Sequence, residues 1–240
     1  MSDRHKSEWA QELLARRNIP QRTPEWFDAR EGRLTASDVP AAVGENEHMT
    51  PAALLKRKLK PGSFKGSPAT AHGSYYEDHA ARKFEEATGE IVHECGLFVH
   101  EDEPWLAGSP DGVCNNRALV EIKCPFRRAI EPGVVPQQYV GQIQTCMEIC
   151  DADHCWFIQY VPETTWTDEI LDIVKVPRDR QWFEKNLKVM RDFHDQMLHA
   201  KLRATKEPEA NPKPAKKART AKTRSPPKCQ LEHIPHYIIF

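Results

Sequence analysis

Residues 109–124 read Ser-Pro-Asp-Gly-Val-Cys-Asn-Asn-Arg-Ala-Leu-Val-Glu-Ile-Lys-Cys, and this stretch decides the fold class. Two strand-like apolar runs flank residues 114–117, and a tight turn is predicted there because Asn tolerates left-handed backbone. Side chains alternate along a strand, so Glu121 and Lys123 project to one face while their apolar neighbours project to the other. Folding back at the turn would bring Asp111 near Glu121.

Two carboxylates held close together repel each other, and a hard divalent cation with oxygen ligands relieves that repulsion. The expected occupant of a site formed by Asp111 and Glu121 is therefore Mg²⁺ or Mn²⁺. Lys123 could then orient a metal-bound water, help its deprotonation or offset charge on a phosphoryl group. The pattern indicates phosphodiester hydrolysis; the alternative is a solvated hairpin with an incidental Glu-x-Lys pair.

The spacing Asp-x9-Glu-Ile-Lys resembles the motif of the PD-(D/E)XK nucleases. The longer string over residues 107–125 resembles their bacteriophage lambda exonuclease branch, the YqaJ-type viral recombinases. Three further segments resemble motifs of that branch and occur in its order: residues 26–37, 72–85 and 142–144. The resemblance extends from about residue 26 to residue 197, and four motifs in order are much more specific than one.

The resemblance implies an α/β fold with a restriction-endonuclease-like core, in which a mixed central sheet is flanked by helices. The metal-site Glu of the helix motif falls on Glu77, for which the alternative is an ordinary boundary Glu beside Arg82. The Gln of the last motif falls on Gln142. The resulting roles are metal binding by Asp111, Glu121 and the backbone carbonyl of Ile122, water activation by Lys123, and support by Glu77 and Gln142.

Arg30 and Ser37 are candidates for binding a terminal phosphate. Arg30 lies near the end of a predicted helix, and Ser37 lies where the next helix is predicted to begin, so N–H donors and a guanidinium would be adjacent. In lambda-type exonucleases the matching Arg and Ser hold the 5'-phosphate of the digested strand. The alternative reading is an exposed helix Arg and a helix-capping Ser.

Charged residues in two other segments are weaker candidates. Arg127 and Arg128 lie in a loop predicted over residues 125–136 and could contact phosphates, or they could be surface charges. The family has an additional acidic residue that can serve a second metal ion, and it matches Glu101 by spacing or Asp102 by residue type. An acidic surface turn is the alternative for that position.

Hydrophobic periodicity and helix-capping residues predict the remaining elements. The predicted helices cover residues 7–17, about 23–31, 73–88, 136–149 and 178–202. Besides the hairpin, strands are predicted over residues 156–160 and 167–176, and an extended segment over residues 91–100. Residues 56–67 are rich in Lys, Pro and Gly and predict a mobile loop; this charge run could touch DNA or simply face solvent, and the latter is more usual.

The seven cysteines are odd in number and lie mostly among apolar neighbours, which is typical of reduced core thiols. Cys146, Cys150, His154 and Cys155 could align zinc ligands on a helix. We do not favour zinc because the paired Cys-x2-Cys signature is missing and a strand is predicted to begin at Cys155.

Charge divides the 240-residue chain into an acidic body and a basic tail. Residues 201–228 carry ten Lys or Arg against two Glu, so the rest of the chain carries −9 within a total of −1. We therefore predict a nuclease domain over residues 1–204, a disordered basic segment over 205–228 and an apolar docking peptide over 229–240. The basic segment suits either a nuclear import signal or a DNA-binding arm.

The sequence contains no apolar run long enough for a membrane span and no secretory signal. This predicts an intracellular protein, which is nuclear if the tail is an import signal and otherwise cytoplasmic.

We expect the protein to digest the 5'-ended strand of duplex DNA and leave a 3' single strand for recombination or repair. An endonuclease of the same superfamily and a non-catalytic DNA-binding recombination partner are the alternatives, and RNA stays open as a substrate. The resemblance also suggests a homo-oligomer, a trimer in this branch, and a single-strand annealing protein as partner.

Overall fold

A computed structural model describes residues 6–16, 18–60, 67–165 and 167–206 of the chain. The described residues up to Thr205 belong to one compact unit. Beyond Lys206, the predicted basic segment and the predicted apolar segment lie outside the described residues. Among the described helices, none has the length and apolar character needed to cross a bilayer.

Short-range signals in the sequence explain where most helices begin and end. Ser7, Thr23, Thr50 and Ser67 each accept a hydrogen bond from a backbone N–H in the first turn of the helix that follows. The helices are α1 (Glu8–Ala15), α2 (Pro24–Arg30), α3 (Val39–Ala42), α4 (Pro51–Lys58), α5 (Pro68–Thr88), α6 (Gln137–Cys150) and α7 (Arg180–Lys206).

Two predictions for the region before the hairpin need correction. Helix α5 begins at Pro68, five residues before the predicted start at Gly73, because Ser67 caps it and Pro68 occupies its first turn. The predicted loop over residues 56–67 includes the last turn of α4, and its residues 61–66 lie outside the described part of the chain. Gly89, with φ +74°, ends α5 as predicted.

In the part of the chain that the structure describes, seven strands form two mixed sheets, where the sequence predicted a single one. The strands are β1 (Leu34–Thr35), β2 (Phe98–Val99), β3 (Leu106–Gly108), β4 (Gly112–Cys114), β5 (Ala118–Lys123), β6 (His154–Val161) and β7 (Ile170–Pro177). The described strands are ordered β1-β3-β2 and β4-β5-β6-β7. In the larger sheet β5 and β6 are parallel and the other pairs are antiparallel. The predicted fold class, α/β with mixed sheets flanked by helices, is confirmed.

The hairpin at residues 112–123 forms as predicted, with Gly112 opposite Val120 and Cys114 opposite Ala118. However, the left-handed turn residue is Arg117, with φ +53°, and neither Asn adopts that conformation. Its guanidinium donates to the carbonyl and the carboxylate of Asp151, both at 2.5 Å. The sequence pattern predicted that an Asn would adopt the left-handed conformation. Arg117 adopts it instead, and its side chain makes tertiary contacts with Asp151.

Helices cover β5 on both faces. Val120 and Ile122 pack with Ala80 and Phe84 of α5, while Leu119 belongs to the main core with side chains of α6 and α7. Full burial of an apolar side chain of this size contributes about 1.5–3 kcal/mol. The face that carries Glu121 is consequently enclosed between the sheet and α6, and this enclosure determines the electrostatics of the site.

Candidate active site

Asp111 is fixed to the edge of β5 by two hydrogen bonds. Its backbone N–H donates to the carbonyl of Val120 at 3.0 Å, and its Oδ2 accepts from the backbone N–H of Ile122 at 2.7 Å. Burial raises the pKa of Asp111, against the opposing effects of Lys123 and of the Ile122 hydrogen bond. The side chain is thus a half-buried carboxyl with a fixed orientation.

Glu121 projects from β5 and is only 1% exposed. Its Oε1 contacts the ammonium of Lys123 and accepts a hydrogen bond from Nε2 of Gln142 at 2.5 Å. Its Oε2 is buried and has no hydrogen-bond partner among the described residues. Burial raises the pKa of Glu121 to about 8; Lys123 opposes this shift and Asp111 adds to it.

Lys123 lies two residues further along the same face and carries a positive charge. Burial disfavours that charge, but Glu121 and Asp111 outweigh burial and raise the pKa of Lys123 above its ordinary value. Its Nζ also lies 5.3 Å from the centre of the Tyr139 ring. An ammonium held in this way can orient water and offset negative charge, but it is a poor proton acceptor.

Glu77 and Gln142 reach the hairpin from the helices on its two sides. Glu77, on α5, accepts a hydrogen bond from Arg22 at 3.0 Å. Its pKa is raised, first by burial and then by Asp111, against the opposing charge of Arg22. Gln142 lies on α6 and donates to Glu121, as described above. The structure therefore brings all five predicted catalytic residues into one neighbourhood.

A cavity of about 470 Å³ opens over this group. Its lining includes Glu77, Asp111, Ile122, Lys123 and Gln142, together with Thr70, Gly73, Phe126 and Tyr139. A cavity of similar volume, about 490 Å³, lies between α1, α2 and β2 and contains none of the five predicted catalytic residues. Because the two volumes are similar, the candidate active site is identified by the catalytic residues that line it and not by its size.

The donor set suits a hard cation. Asp111 and Glu121 supply carboxylate oxygens, and Oε2 of Glu121 is a buried acceptor that a cation would satisfy. Within the described residues, no group of three or more His, Cys, Asp or Glu side chains is arranged to hold a metal ion. Two carboxylates, completed by backbone oxygen, water and substrate phosphate, match the way Mg²⁺ binds in phosphoryl-transfer sites. Ile122 lines the cavity, and the role of its carbonyl stays a prediction.

Arg30 and Ser37 meet at Thr35. The Arg30 guanidinium lies 4.1 Å from the centre of the Trp26 ring and donates to Thr35 Oγ1 at 3.5 Å, while Ser37 Oγ lies 3.3 Å from the same oxygen. The predicted helix start is only a 3₁₀ turn over residues 36–38 followed by the four-residue α3, and its cap positions make no side-chain cap hydrogen bond. The site therefore lacks the regular helix N-terminus that was predicted to supply backbone N–H donors beside Arg30.

The sequence patterns assigned no role to two cationic side chains, those of Arg57 and Lys58, which lie beside Arg30, Thr35 and Ser37. Asp38 is buried, accepts from Thr35 Oγ1 at 2.7 Å and forms ion pairs with Arg57 and with Lys58, the latter at 2.5 Å. Burial would raise the pKa of Asp38, but Lys58 and Arg57 outweigh burial and lower it. The only sequence signal was a charge run that resembled a solvated loop.

Of the described residues that line the catalytic cavity, none is one of the weaker candidates. Arg128 donates to Gln159 at 2.6 Å on β6, and Arg127 is exposed beside the Phe126 ring. Glu101 pairs with Arg16 at 3.0 Å and lines the other cavity. The structure therefore does not bring Glu101 to Asp111 and Glu121. Asp102 is exposed in the neighbouring turn.

The cysteine and histidine set at the end of α6 is also separate from the catalytic cavity. Cys146, Cys150 and Cys155 are buried free thiols whose pKa values burial raises. His154 packs against Trp156, with ring centres 5.4 Å apart. None of the four side chains belongs to a metal-binding group within the described residues.

Two carboxylates and a lysine on a hairpin, placed on a mixed sheet between helices, define the PD-(D/E)XK class of nuclease folds. The chain belongs to the family of the YqaJ-like viral recombinase domain, whose model matches residues 25–153. The resemblance inferred from the motifs is therefore confirmed.

Individual proteins are similar to this chain over different extents. An uncharacterized protein of Acanthamoeba polyphaga mimivirus is 28% identical over 172 residues, which cover 63% of this chain but only 31% of the mimivirus protein. The crystal structure of an alkaline exonuclease from Laribacter hongkongensis, LHK-Exo, matches with 28% identity and a TM-score of 0.63, covering 77% of this chain and 99% of that one. LHK-Exo in complex with dAMP matches with 27% identity, a TM-score of 0.64 and the same coverage of both chains.

Proposed function

We propose that this protein is a Mg²⁺- or Mn²⁺-dependent exonuclease that hydrolyses the 5'-ended strand of duplex DNA and leaves a 3' single-stranded overhang for recombination or repair. The observation that carries the proposal is the convergence of Asp111 and Lys123, which line one cavity, with the buried Glu121, which contacts Lys123. Membership of the YqaJ-like family and the similarity to an alkaline exonuclease support it.

The proposed chemistry follows from the state of each side chain. Asp111 and Glu121 would hold the divalent cation, which would supply Lewis-acid chemistry to the phosphate and to the attacking water. Lys123, as an ammonium, donates hydrogen bonds that orient the attacking water and offset charge on the phosphoryl oxygens. Gln142 keeps the Glu121 carboxylate in one orientation. Glu77 contributes charge at the cavity rim.

The proposed strand polarity depends on the group at Thr35. The Arg30 guanidinium lies over the Trp26 ring and donates to Thr35 through one terminal nitrogen, so its other N–H groups can contact a phosphate. Ser37 is exposed and offers a hydroxyl beside it. Arg57 and Lys58 add positive charge next to Arg30 and Ser37. This charge favours the binding of a terminal phosphate by a domain whose net charge is negative.

A labelled-duplex assay tests the proposal. We expect a blunt duplex with a 5'-phosphate to be digested from its 5' ends in Mg²⁺, more slowly with a 5'-hydroxyl, and not at all in EDTA. Lys123→Ala should abolish digestion, whereas Lys188→Ala, at an exposed position on α7, should not change it. Digestion that survives Lys123→Ala would remove the mechanism.

Further substrates separate the alternatives. An exonuclease leaves covalently closed circular DNA intact, so cleavage of a circle would favour the endonuclease. DNA binding without cleavage in Mg²⁺ or Mn²⁺ would favour the non-catalytic partner, and digestion of duplex RNA would extend the substrate class.

Assembly as a homo-oligomer and transfer of the 3' strand to a single-strand annealing protein belong to the same proposal. Sedimentation of the purified protein tests the assembly.

A further inference from the structure

Arg22 lines a second cavity, of about 440 Å³, that adjoins the catalytic cavity. The two cavities share Ser74, Glu77 and Asp111 in their linings. Among the described residues that line the second cavity, Arg22 alone is basic, whereas four are acidic: Glu77, Asp78, Glu94 and Asp111. A DNA phosphate that approaches from this side would meet four carboxyl groups and one positively charged side chain, that of Arg22.

The backbone at Arg22 is held in an unfavourable conformation by its neighbours. Its φ is +65°, in the left-handed region that costs a residue with a Cβ atom about 1–2 kcal/mol. On one side, the Gln21 amide donates to the carbonyl of Pro110 at 3.1 Å. On the other side, Thr23 caps α2 and donates to the carbonyl of Pro20 at 2.9 Å. Such strain, imposed from both sides, is typical of functional positions.

The side chain is positioned and still accessible. A terminal nitrogen of Arg22 lies 3.0 Å from Oε2 of Glu77, while 59% of the Arg22 side chain is exposed. A guanidinium has five N–H donors, and this contact uses one of its nitrogens. The remaining edge can therefore bind a phosphate in the two-point geometry that distinguishes Arg from Lys.

We propose that Arg22 binds a backbone phosphate of the DNA strand that enters the catalytic cavity, with Glu77 holding its guanidinium over the cavity rim. This assignment rests on the proposed nuclease function and adds to it a substrate contact outside the four sequence motifs. The strained backbone places the guanidinium at the rim, and Gly, which adopts positive φ readily, would suit the fold better at this position.

Arg22→Gly separates the two roles because it removes the side chain and relieves the backbone strain. We expect a melting temperature equal to or above that of the wild type. In EDTA, affinity for a fluorescent duplex should fall about tenfold, and the slope of log Kobs against log salt should decrease in magnitude by about 0.9. In Mg²⁺, KM should rise while kcat changes less than about threefold. Arg22→Lys should keep the wild-type salt slope and recover part of the affinity.

Arg180→Ala is the matched control, since Arg180 is exposed at the start of α7 and lines neither cavity. We expect it to keep the wild-type salt slope. If the wild type binds and digests DNA but Arg22→Gly keeps its slope and KM, the assignment is overturned. If the wild type binds duplex DNA without digesting it, the nuclease proposal fails, and the salt-slope comparison still decides the role of Arg22.

Discussion

Replacing Asp38 by Asn removes the negative charge from a buried ion cluster and keeps the shape of the side chain. The Asp38 side chain is only 6% exposed and faces Lys58, whose side chain is 18% exposed, and Arg57, which is 43% exposed. After the change, Lys58 would remain largely buried beside a neutral amide. The Thr35 hydrogen bond to the same side chain can persist.

The expected loss of stability follows from these exposures. Removing one partner of a fully buried pair costs about 3–5 kcal/mol. Because water screens Arg57, we discount that range and expect about 2–3 kcal/mol at pH 7. For a domain of this size each kcal/mol corresponds to about 2–4 °C, so the melting temperature should fall by about 4–12 °C.

The dependence on pH has a defined sign. Lys58 and Arg57 lower the pKa of Asp38, so its stabilising contribution is present above the ordinary carboxyl pKa of about 3.9 and disappears as the pH falls through the lowered value. The difference between the wild type and Asp38→Asn should therefore be constant from pH 7 to about 5 and shrink below about pH 4.

Urea unfolding of both proteins at several pH values measures this difference. Asp192→Asn is the matched control, because Asp192 forms an exposed pair with Lys188 on α7, and its loss should cost less than about 0.5 kcal/mol. A loss below about 1 kcal/mol for Asp38→Asn, or a difference that persists unchanged at pH 3, would refute the reasoning.

Three further perturbations test the site and the tail. Mg²⁺ at 100 times its Kd should stabilise the fold by about 2.7 kcal/mol in a thermal melt, and Asp111→Asn should remove most of that gain; an equal gain in the variant would exclude Asp111 as a ligand. Gln142→Ala should lower kcat about 10–100-fold with little change in KM, because the Glu121 carboxylate loses its orienting donor; a change in KM alone would contradict this role. Residues 205–228 fused to a fluorescent reporter should accumulate in nuclei if they form an import signal, and a charge-neutral version of the segment is the control.

Helix positions show how far local sequence patterns reach. The cap at Thr23 and the stop at Gly89 are predictable from the sequence because each acts through hydrogen bonds or backbone freedom within one turn. Helix α5 begins five residues before its predicted start, because the Ser67 hydroxyl caps it and Pro68 occupies its first turn. The left-handed residue of the hairpin was misassigned because Arg117 makes contacts to a part of the chain 34 residues away.

The sequence by itself determined the hairpin, the face shared by Glu121 and Lys123, and the family, since strand alternation and motif spacing are local properties. Only the tertiary structure decided how deeply Glu121 is buried, which cations neutralise Asp38, and that Arg22 reaches Glu77 across 55 residues. Desolvation and ion pairing depend on which distant segments pack together, and no local pattern in the chain specifies that packing.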